Sequence, residues 1–369
     1  MFNPITQNFC TACRHIALGF LVLMLLESTI YGQEQTVKVK AKGRSYFGKS
    51  LAYDGDNIVL LRRDGRISIL PISRKADVEV VSNPFKPYSF ESLRSKLQKE
   101  FGGKYQVSQT RNFVVVHPIG DFQNWAMPFE NLYQRFRNYF SSRGFSLDKP
   151  EFPMVAVVLR TRKEFDKFLR LYHTYDANTL GYYSQKSNRI IAYDPSNGRS
   201  TRKDWAYNDT LIHEAVHQTA FNTGVHRRFG FTPQWVLEGL ACMFEASGIQ
   251  NSTYYAELKN RINKGRLARL KYYYSKDQAQ GKLKQFVQGD QYFDSNPSLA
   301  YSYSWGLTFF LAEKFPAKFF RFLTDDASRE EFRAYGPSDR VKAFKKFFGD
   351  DLNAMDKRLE RFIGELKVQ

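Results

Sequence analysis

Cysteine is scarce in this sequence: it accounts for 3 of 369 residues, and two of them are Cys10 and Cys13. If residues 1–32 are removed as a signal, only Cys242 remains. An internal disulfide is then excluded, and stability must come from the apolar core. The content of 43% hydrophobic and 25% charged residues is that of a globular protein. The length suits one sizeable core with a small accessory domain.

Long apolar runs are also missing. The run at residues 16–26 is shorter than the roughly 20 residues that cross a bilayer. Arg14 and His15 precede this run and the small residue Gly32 follows it, which is the pattern of an export signal. We predict a signal peptide at residues 1–32, with an uncleaved anchor as the alternative. The remaining chain would carry no transmembrane span and would be periplasmic, cell-surface or extracellular.

Acidic residues are outnumbered, with 37 Asp and Glu against 55 Lys and Arg, a net charge of +18. Such a charge favours anionic partners, for example a negatively charged surface or an acidic polysaccharide. The basic residues are spread along the chain, and we find no nucleic-acid-binding motif. Nucleic acid is therefore not an expected partner.

Residues 36–82 predict a small all-β, barrel-like module, because alternating apolar residues flank turn signals such as Asp64-Gly65. The stretch FGKSLAYDGDNIVLLRRDGRISILPI resembles the short Sla-type homology domain of an actin adaptor. That resemblance implies a binding or spacer module. Residues 83–100, with two prolines and a charged stretch, are interpreted as a linker.

The larger domain, residues 101–369, is predicted to be α+β. Apolar β-branched runs of strand length alternate with helical spacing up to about residue 205, and the rest is almost entirely helical. GYYSQKSNRIIAYD reads as a hairpin whose turn spans 184–188.

Histidine is rare, at 6 of 369 residues, yet three fall in LIHEAVHQTAFNTGVH, residues 211–226. Asn208 or Asp209 can cap a helix that Gly224 ends. His213 and His217 then lie one turn apart on one face, with Glu214 beside them. This His-Glu-x-x-His spacing is typical of zinc peptidases. The alternative is an ordinary helix whose histidines cap carbonyls or face solvent.

Catalytic zinc usually has three protein ligands, and the better third candidate is Glu238. It lies in an apolar helix that Thr232 would cap and Pro233 would begin. Burying a carboxylate there requires a strong cationic partner. The alternative is a salt bridge to Arg227 or Arg228. The spacing does not favour the other candidate ligand, His226.

HEAVHQTAFNTG and PQWVLEGLACMFE together resemble the peptidase-MA-like gluzincins, and more narrowly the bacterial family called domain of unknown function 1570. The resemblance covers about residues 105–315. It implies a thermolysin-like zincin fold, a Zn²⁺ cofactor and a third ligand that matches Glu238. It also implies that the 181–194 hairpin supplies the edge strand of the cleft. Thermolysin has an aspartate where this chain has Cys242, so Glu245 is predicted to orient a zinc histidine instead.

These residues predict an exported zinc metallopeptidase that acts on a protein or peptide. Zinc would activate a water, and Glu214 would transfer its proton. Tyr301 is the first candidate for the oxyanion donor and Tyr303 the second, although either can be a core residue. Two other functions stay open. One is a non-catalytic surface or matrix protein with a structural metal site, and the other is a zinc amidase acting on cell-wall material.

Overall fold

The computed structural model describes residues 35–54, 56–72, 77–120, 125–172, 180–194, 209–250 and 257–367. The predicted signal, residues 1–32, lies outside them. Ten strands are described: β1 Thr36–Ala41, β2 Arg44–Tyr53, β3 Asn57–Arg62, β4 Ile67–Pro71, β5 Val78–Val80, β6 Tyr105–Gln109, β7 Phe113–Pro118, β8 Met154–Leu159, β9 Gly181–Ser184 and β10 Arg189–Tyr193.

The described helices follow one another mainly in the C-terminal part. They are α1 Phe90–Phe101, α2 Ala126–Ser141, α3 Arg162–Tyr172, α4 Asp209–Asn222, α5 Gln234–Phe244, α6 Ser247–Gln250, α7 Leu258–Arg261, α8 Lys264–Ser275, α9 Leu283–Gln288, α10 Gln291–Ser295, α11 Pro297–Lys314, α12 Pro316–Ala327, α13 Pro337–Phe348 and α14 Leu352–Glu365. Within the described residues, no helix combines the length and apolar character needed to cross a bilayer.

The N-terminal module is a five-stranded sheet with strand order β4-β3-β2-β1-β5. Its neighbouring strands are antiparallel. Alternate residues such as Val37, Val39 and Leu60 form a small core of their own, as the period of two in the sequence predicted. The predicted turn at Asp64-Gly65 joins β3 to β4, and Gly65 has a φ of 79° there. The likeness to the Sla-type domain stays a prediction.

The second sheet has the order β6-β7-β8-β10-β9. Its middle strands β7, β8 and β10 are parallel, whereas β6 and β9 pair antiparallel at the two edges. Helices cover both faces: α1 and α3 pack on one apolar side and α2 and α4 on the other. Coverage on both sides explains why β7 and β8 read as continuous apolar runs rather than alternating ones.

Helix α1, Phe90–Phe101, takes up most of the segment 83–100 that the sequence suggested as a linker. Ser89 caps the helix by accepting a hydrogen bond from Ser92 N. Leu93 and Leu97 are buried against the second sheet. These two leucines are four residues apart and therefore share one face. The helix accordingly packs as a layer of the second sheet, and not as a free connection.

The helical half forms one core with α11 at its centre. Residues on every side of α11 are buried, as expected for a helix surrounded by others. It packs tightly against α5 at Gly239, where an added Cβ would lie 2.1 Å from Thr308 Oγ1 and 2.4 Å from Ser304 O. The coarse prediction is therefore confirmed: the chain is α+β, with an N-terminal all-β sheet and a helical C-terminal part.

Candidate metal centre

Helix α4 carries the three residues of the His-Glu-x-x-His pattern. It begins at Asp209 and ends at Asn222, and the predicted stop signal Gly224 follows with a φ of 78°. The alternative cap Asn208 lies outside the described residues. Nearly all of this helix is buried, so the alternative of histidines facing solvent is wrong. His213 is 3% exposed and His217 is 4% exposed.

Helix α5 brings Glu238 against α4. Its start differs from the prediction: Pro233 stands at the N-cap, and Thr232 instead donates to Asp326 Oδ2 at 2.8 Å. The first backbone amide, Gln234 N, donates to Asp290 Oδ1 at 3.1 Å. A carboxylate 56 residues further along the chain therefore replaces the local cap that the sequence suggested.

Three side-chain atoms converge between the two helices. His213 Nε2 lies 2.9 Å from Glu238 Oε2 and 3.1 Å from His217 Nε2. The third side of this triangle, His217 Nε2 to Glu238 Oε2, is 3.5 Å. Ligand atoms on one tetrahedral zinc ion lie about 3.3–3.6 Å apart, given bonds of about 2.0–2.2 Å. The distance between His217 and Glu238 lies in this range, and the two distances to His213 Nε2 are shorter by a few tenths of an ångström. The donor types are those that zinc binds, and a small outward shift of the His213 ring would bring all three atoms to its spacing.

The alternative salt bridge from Glu238 to an arginine is wrong. Arg227 pairs with Glu331 at 3.2 Å, and Arg228 donates to the backbone carbonyls of Gln185 and Gly65. Glu238 is 1% exposed. Burial raises its pKa, but the nearby histidines, His217 and His213, outweigh this and hold the pKa well below its usual range.

Glu245 lies behind His213, where its Oε1 is 2.9 Å from His213 Nδ1. Asn263 Nδ2 donates to Glu245 Oε2 at 2.6 Å, and Arg266 Nη2 lies 3.4 Å from Oε1. A proton on Nδ1 of His213 would satisfy Glu245 and leave the Nε2 lone pair for a cation. The sequence singled out Glu245 but gave no sign of Asn263 or Arg266, which come from α8 and the residue before it.

Cys242 faces this same histidine. Its sulfur, His213 and Glu245 form a second close group of potential ligand atoms. Burial raises the pKa of the Cys242 thiol to about 11. The neutral thiol is a poor cation ligand. A cation bound at the sulfur would have to displace the thiol proton, and Cys242 packs beside the nitrogen and oxygen triangle.

Glu214 lies near the two histidines and is hydrogen-bonded to the second sheet. Its Oε2 accepts a hydrogen bond of 2.7 Å from Tyr183 N on the edge strand β9. Its Oε1 is buried and has no hydrogen-bond partner among the described residues. Burial raises the pKa of Glu214, and the nearby His213 and His217 oppose that rise. The carboxylate thus has one anchored oxygen and one oxygen available for a proton.

The two candidate tyrosines of α11 lie in different surroundings. Tyr301 is buried with its ring centroid 6.1 Å from that of His213, and the Arg266 guanidinium lies 5.2 Å from its ring. Tyr303 instead stacks on Phe286 and donates its hydroxyl to Asp356 at 2.6 Å. Of the two, only Tyr301 is next to the metal triangle.

His226, the other candidate ligand, does not join the triangle. It packs against Phe221 at 5.5 Å between ring centroids. Neither ring nitrogen has a partner within the part of the chain that the structure describes. Burial lowers its pKa to about 3, so the ring is neutral at ordinary pH.

Comparison with known proteins matches part of the chain to a family model. Residues 208–333 match the family model described as "Protein of unknown function (DUF1570)". This stretch contains both helical motifs from which the sequence predicted that resemblance. No curated protein matches the chain.

Three of the similar solved structures are zinc metallopeptidases of the M1 type. A two-domain variant bound to L-arginine has a TM-score of 0.39 and 13% identity, covering 71% of this chain and 52% of its own. A variant from Deinococcus radiodurans bound to a Tyr-Ser-Ala substrate has a TM-score of 0.38 and 12% identity, and the match covers 70% of this chain and 51% of that structure. The enzyme from Deinococcus radiodurans without the substitution has a TM-score of 0.38 and 13% identity, and the match covers 70% of this chain and 50% of that structure. The chain therefore spans about half the length of these structures.

Proposed function

We propose that this protein is an exported, zinc-dependent metallopeptidase with a thermolysin-like arrangement of its ligands. One observation carries the proposal: His213, His217 and Glu238 converge beside a buried carboxylate, Glu214, that keeps one oxygen without a partner in the described residues. A purely structural metal site has no need of such a carboxylate. In this position a zinc ion would supply Lewis acidity, activating water and polarising a carbonyl.

The chain's own residues would then handle the protons and the substrate. Glu214 would take a proton from the attacking water through Oε1 and later give it to the leaving amine. Tyr183 N holds the other oxygen, Oε2, in place by a hydrogen bond. Tyr301 is the proposed donor to the developing oxyanion. A peptide substrate would lie along β9, which is an edge strand, by the strand addition that exposed sheet edges allow.

Metal content and hydrolysis test this function separately. We expect the purified protein to hold about one zinc ion, as a three-ligand site requires, and to cleave an unstructured protein such as casein. Glu238→Ala should lose the metal and the activity. The matched control is Glu313→Ala, which removes a carboxylate that pairs with Arg261 at 2.7 Å and lies outside the triangle. Zinc bound without any cleavage would instead favour the non-catalytic binding protein.

Export is a separate part of the proposal and rests on residues 1–32 of the sequence. We expect the mature protein to begin at Gln33 and to appear outside the cytoplasm. N-terminal sequencing of the protein from fractionated cells checks this. An intact N-terminus on membrane-associated protein would identify the anchor, and cytoplasmic protein would contradict export altogether.

A further inference from the structure

The N-terminal module contacts the β9–β10 turn, which borders the proposed cleft. Ile67 N, at the start of β4, donates to Lys186 O at 2.7 Å. Arg228, which follows α4, donates through Nη2 to Gly65 O at 2.6 Å and to Gln185 O at 2.5 Å. One guanidinium thus binds a carbonyl of the module and a carbonyl of the β9–β10 turn together.

The space at this junction is tight. A Cβ added to Gly65 would lie 3.2 Å from Phe152 Cγ and 3.3 Å from Asn188 Nδ2. Asn188, the last residue of the β9–β10 turn, is buried and has a φ of 55°. A non-glycine residue in this region needs support from its surroundings. The Gly65 turn of the module therefore lies against Asn188, the residue of the β9–β10 turn that has a positive φ.

The same turn is hydrogen-bonded to the helix that carries the histidines. Gln218 Nε2 donates to Asn188 O at 2.8 Å, and the side chains of Asn188 and Asn222 pair at 2.9 Å. Tyr183 donates its hydroxyl to Asn188 Oδ1 at 2.9 Å. Asn188 therefore connects the module's turn both to α4 and to the residue whose backbone holds Glu214.

Strand β9 has only four residues and lies at the edge of its sheet. A short edge strand is among the elements that open most easily, because few contacts hold it. Strand β9 is held by α4 through Glu214, and the turn that follows it is held by the N-terminal module through Arg228 and Gly65. Loss of the module contact would lower the fraction of molecules in which Tyr183 N donates its hydrogen bond to Glu214 Oε2.

We infer that the N-terminal module is a positioning element for the proposed catalytic carboxylate. Its Gly65 turn, bound by Arg228 to the β9–β10 turn, fixes the edge strand at the place where Tyr183 N holds Glu214. This inference rests on the proposed function for its effect on catalysis, but its structural effect on β9 can be measured without any activity. The module would thus act on the cleft through strand β9 and would not be only a spacer.

Gly65→Ala and Gly43→Ala form a matched pair for the test. Both glycines lie in turns of the module with positive φ, 79° and 71°, so alanine costs similar backbone strain in each. Only the Gly65 variant presses on Phe152 and Asn188, because a Cβ at Gly43 meets nothing within 4 Å. The difference between the two variants isolates the contact across the junction.

Hydrogen–deuterium exchange is the first measurement, followed in a peptide that covers β9 and β10 of the full chain. We expect exchange about tenfold faster in Gly65→Ala than in Gly43→Ala, as for a local opening made easier by a lost contact. Arg228→Lys, which keeps the charge but loses the forked donor, should lie between wild type and Gly65→Ala. Equal exchange in the two glycine variants would overturn the inference.

Kinetics on the same variants give the second measurement. With zinc content unchanged, Gly65→Ala should lower kcat about tenfold for a peptide substrate, an effect typical of misplaced catalytic groups. Gly43→Ala should leave kcat unchanged. If the wild-type protein cleaves no peptide, the proposed function fails, while the exchange result still decides whether the module positions β9. Equal kcat values in an active protein would contradict the positioning role.

Discussion

Two buried carboxylate clusters in the helical half differ in how their oxygens are used. Asp356 accepts from Gly281 N at 2.7 Å, Leu283 N at 3.1 Å and Tyr303 Oη at 2.6 Å. Its oxygens are thus satisfied by neutral donors of the chain itself. At the candidate metal centre, Glu238 faces imidazole rings, and Glu214 Oε1 has no partner among the described residues. Burial of a carboxylate is common to both, and only the second cluster keeps unused binding capacity.

The difference shows which observation identifies a functional site. A carboxylate that the fold satisfies completely stabilises the fold, because removing a partner leaves a buried group unpaired. A group of converging donors with capacity to spare can bind a ligand or move a proton. Substitutions at matched positions of the two clusters should therefore separate activity from stability.

Glu214→Gln should have the largest effect on activity among these comparisons. It removes the proton acceptor but keeps the amide oxygen that Tyr183 N can bind, so we expect about 10³-fold slower hydrolysis with zinc retained. Asp356→Asn is the counterpart and should lower the melting temperature while the activity of folded protein stays unchanged. Peptide cleavage, zinc analysis and thermal melting check both. Full activity in Glu214→Gln would remove it from the mechanism.

The tyrosines of α11 extend the comparison, because one adjoins each cluster. Tyr301→Phe should lower kcat about 10²-fold if its hydroxyl is the oxyanion donor. Tyr303→Phe should cost about 1–3 kcal/mol of stability, because Asp356 loses one donor, and should not change kcat. Steady-state kinetics and urea unfolding of both variants test this. An unchanged kcat in Tyr301→Phe would assign that ring to core packing.

Glu245→Gln should weaken zinc binding about 10- to 100-fold, the range for groups behind a metal ligand. The amide oxygen can still accept a hydrogen bond from His213 Nδ1. The negative charge of the carboxylate is lost, so it no longer stabilises the imidazole or pairs with Arg266. Competition with a chromophoric chelator measures the change. Glu313→Gln, at the remote pair with Arg261, should leave the affinity at the wild-type value. An equal loss of zinc affinity in Glu313→Gln would mean that the overall charge of the protein, and not Glu245 itself, sets the affinity.

His226→Phe should have the smallest effect on activity, because its effect is confined to the pH dependence of stability. In the folded chain the pKa of His226 is lowered from 6.5 to about 3. Below about pH 6.5 the unfolded chain therefore binds a proton that the folded chain does not. The free energy of unfolding of the wild-type protein accordingly decreases as the pH is lowered. The variant should lose less, by up to about 1.4 kcal/mol per pH unit between pH 6 and 4. Identical pH slopes in urea unfolding would contradict a neutral buried ring.

Sequence patterns predicted those features that neighbouring residues determine. The hairpins at Asp64-Gly65 and at residues 184–188 follow from turn residues between apolar runs, and the end of helix α4 follows from the stop signal Gly224. Glu238 was singled out because a lone carboxylate in an apolar helix needs a partner.

The contacts that set the site's geometry could not be predicted in this way. Tyr183 N reaches Glu214 over 31 residues, and Arg228 reaches Gly65 over 163. No periodicity records such pairings, because they depend on how the two sheets and α4 are placed. The packing of α1 on the second sheet was missed for the same reason.

The close crossing at Gly239 has a consequence for the evolution and engineering of this chain. Glu238 and Tyr301 belong to the two helices that touch there, so their spacing depends on how nearly the two backbones approach. A larger residue at 239 would widen that spacing without altering either functional side chain. A deep mutational scan should therefore find position 239 nearly as intolerant as His213, His217 and Glu238, the proposed ligands.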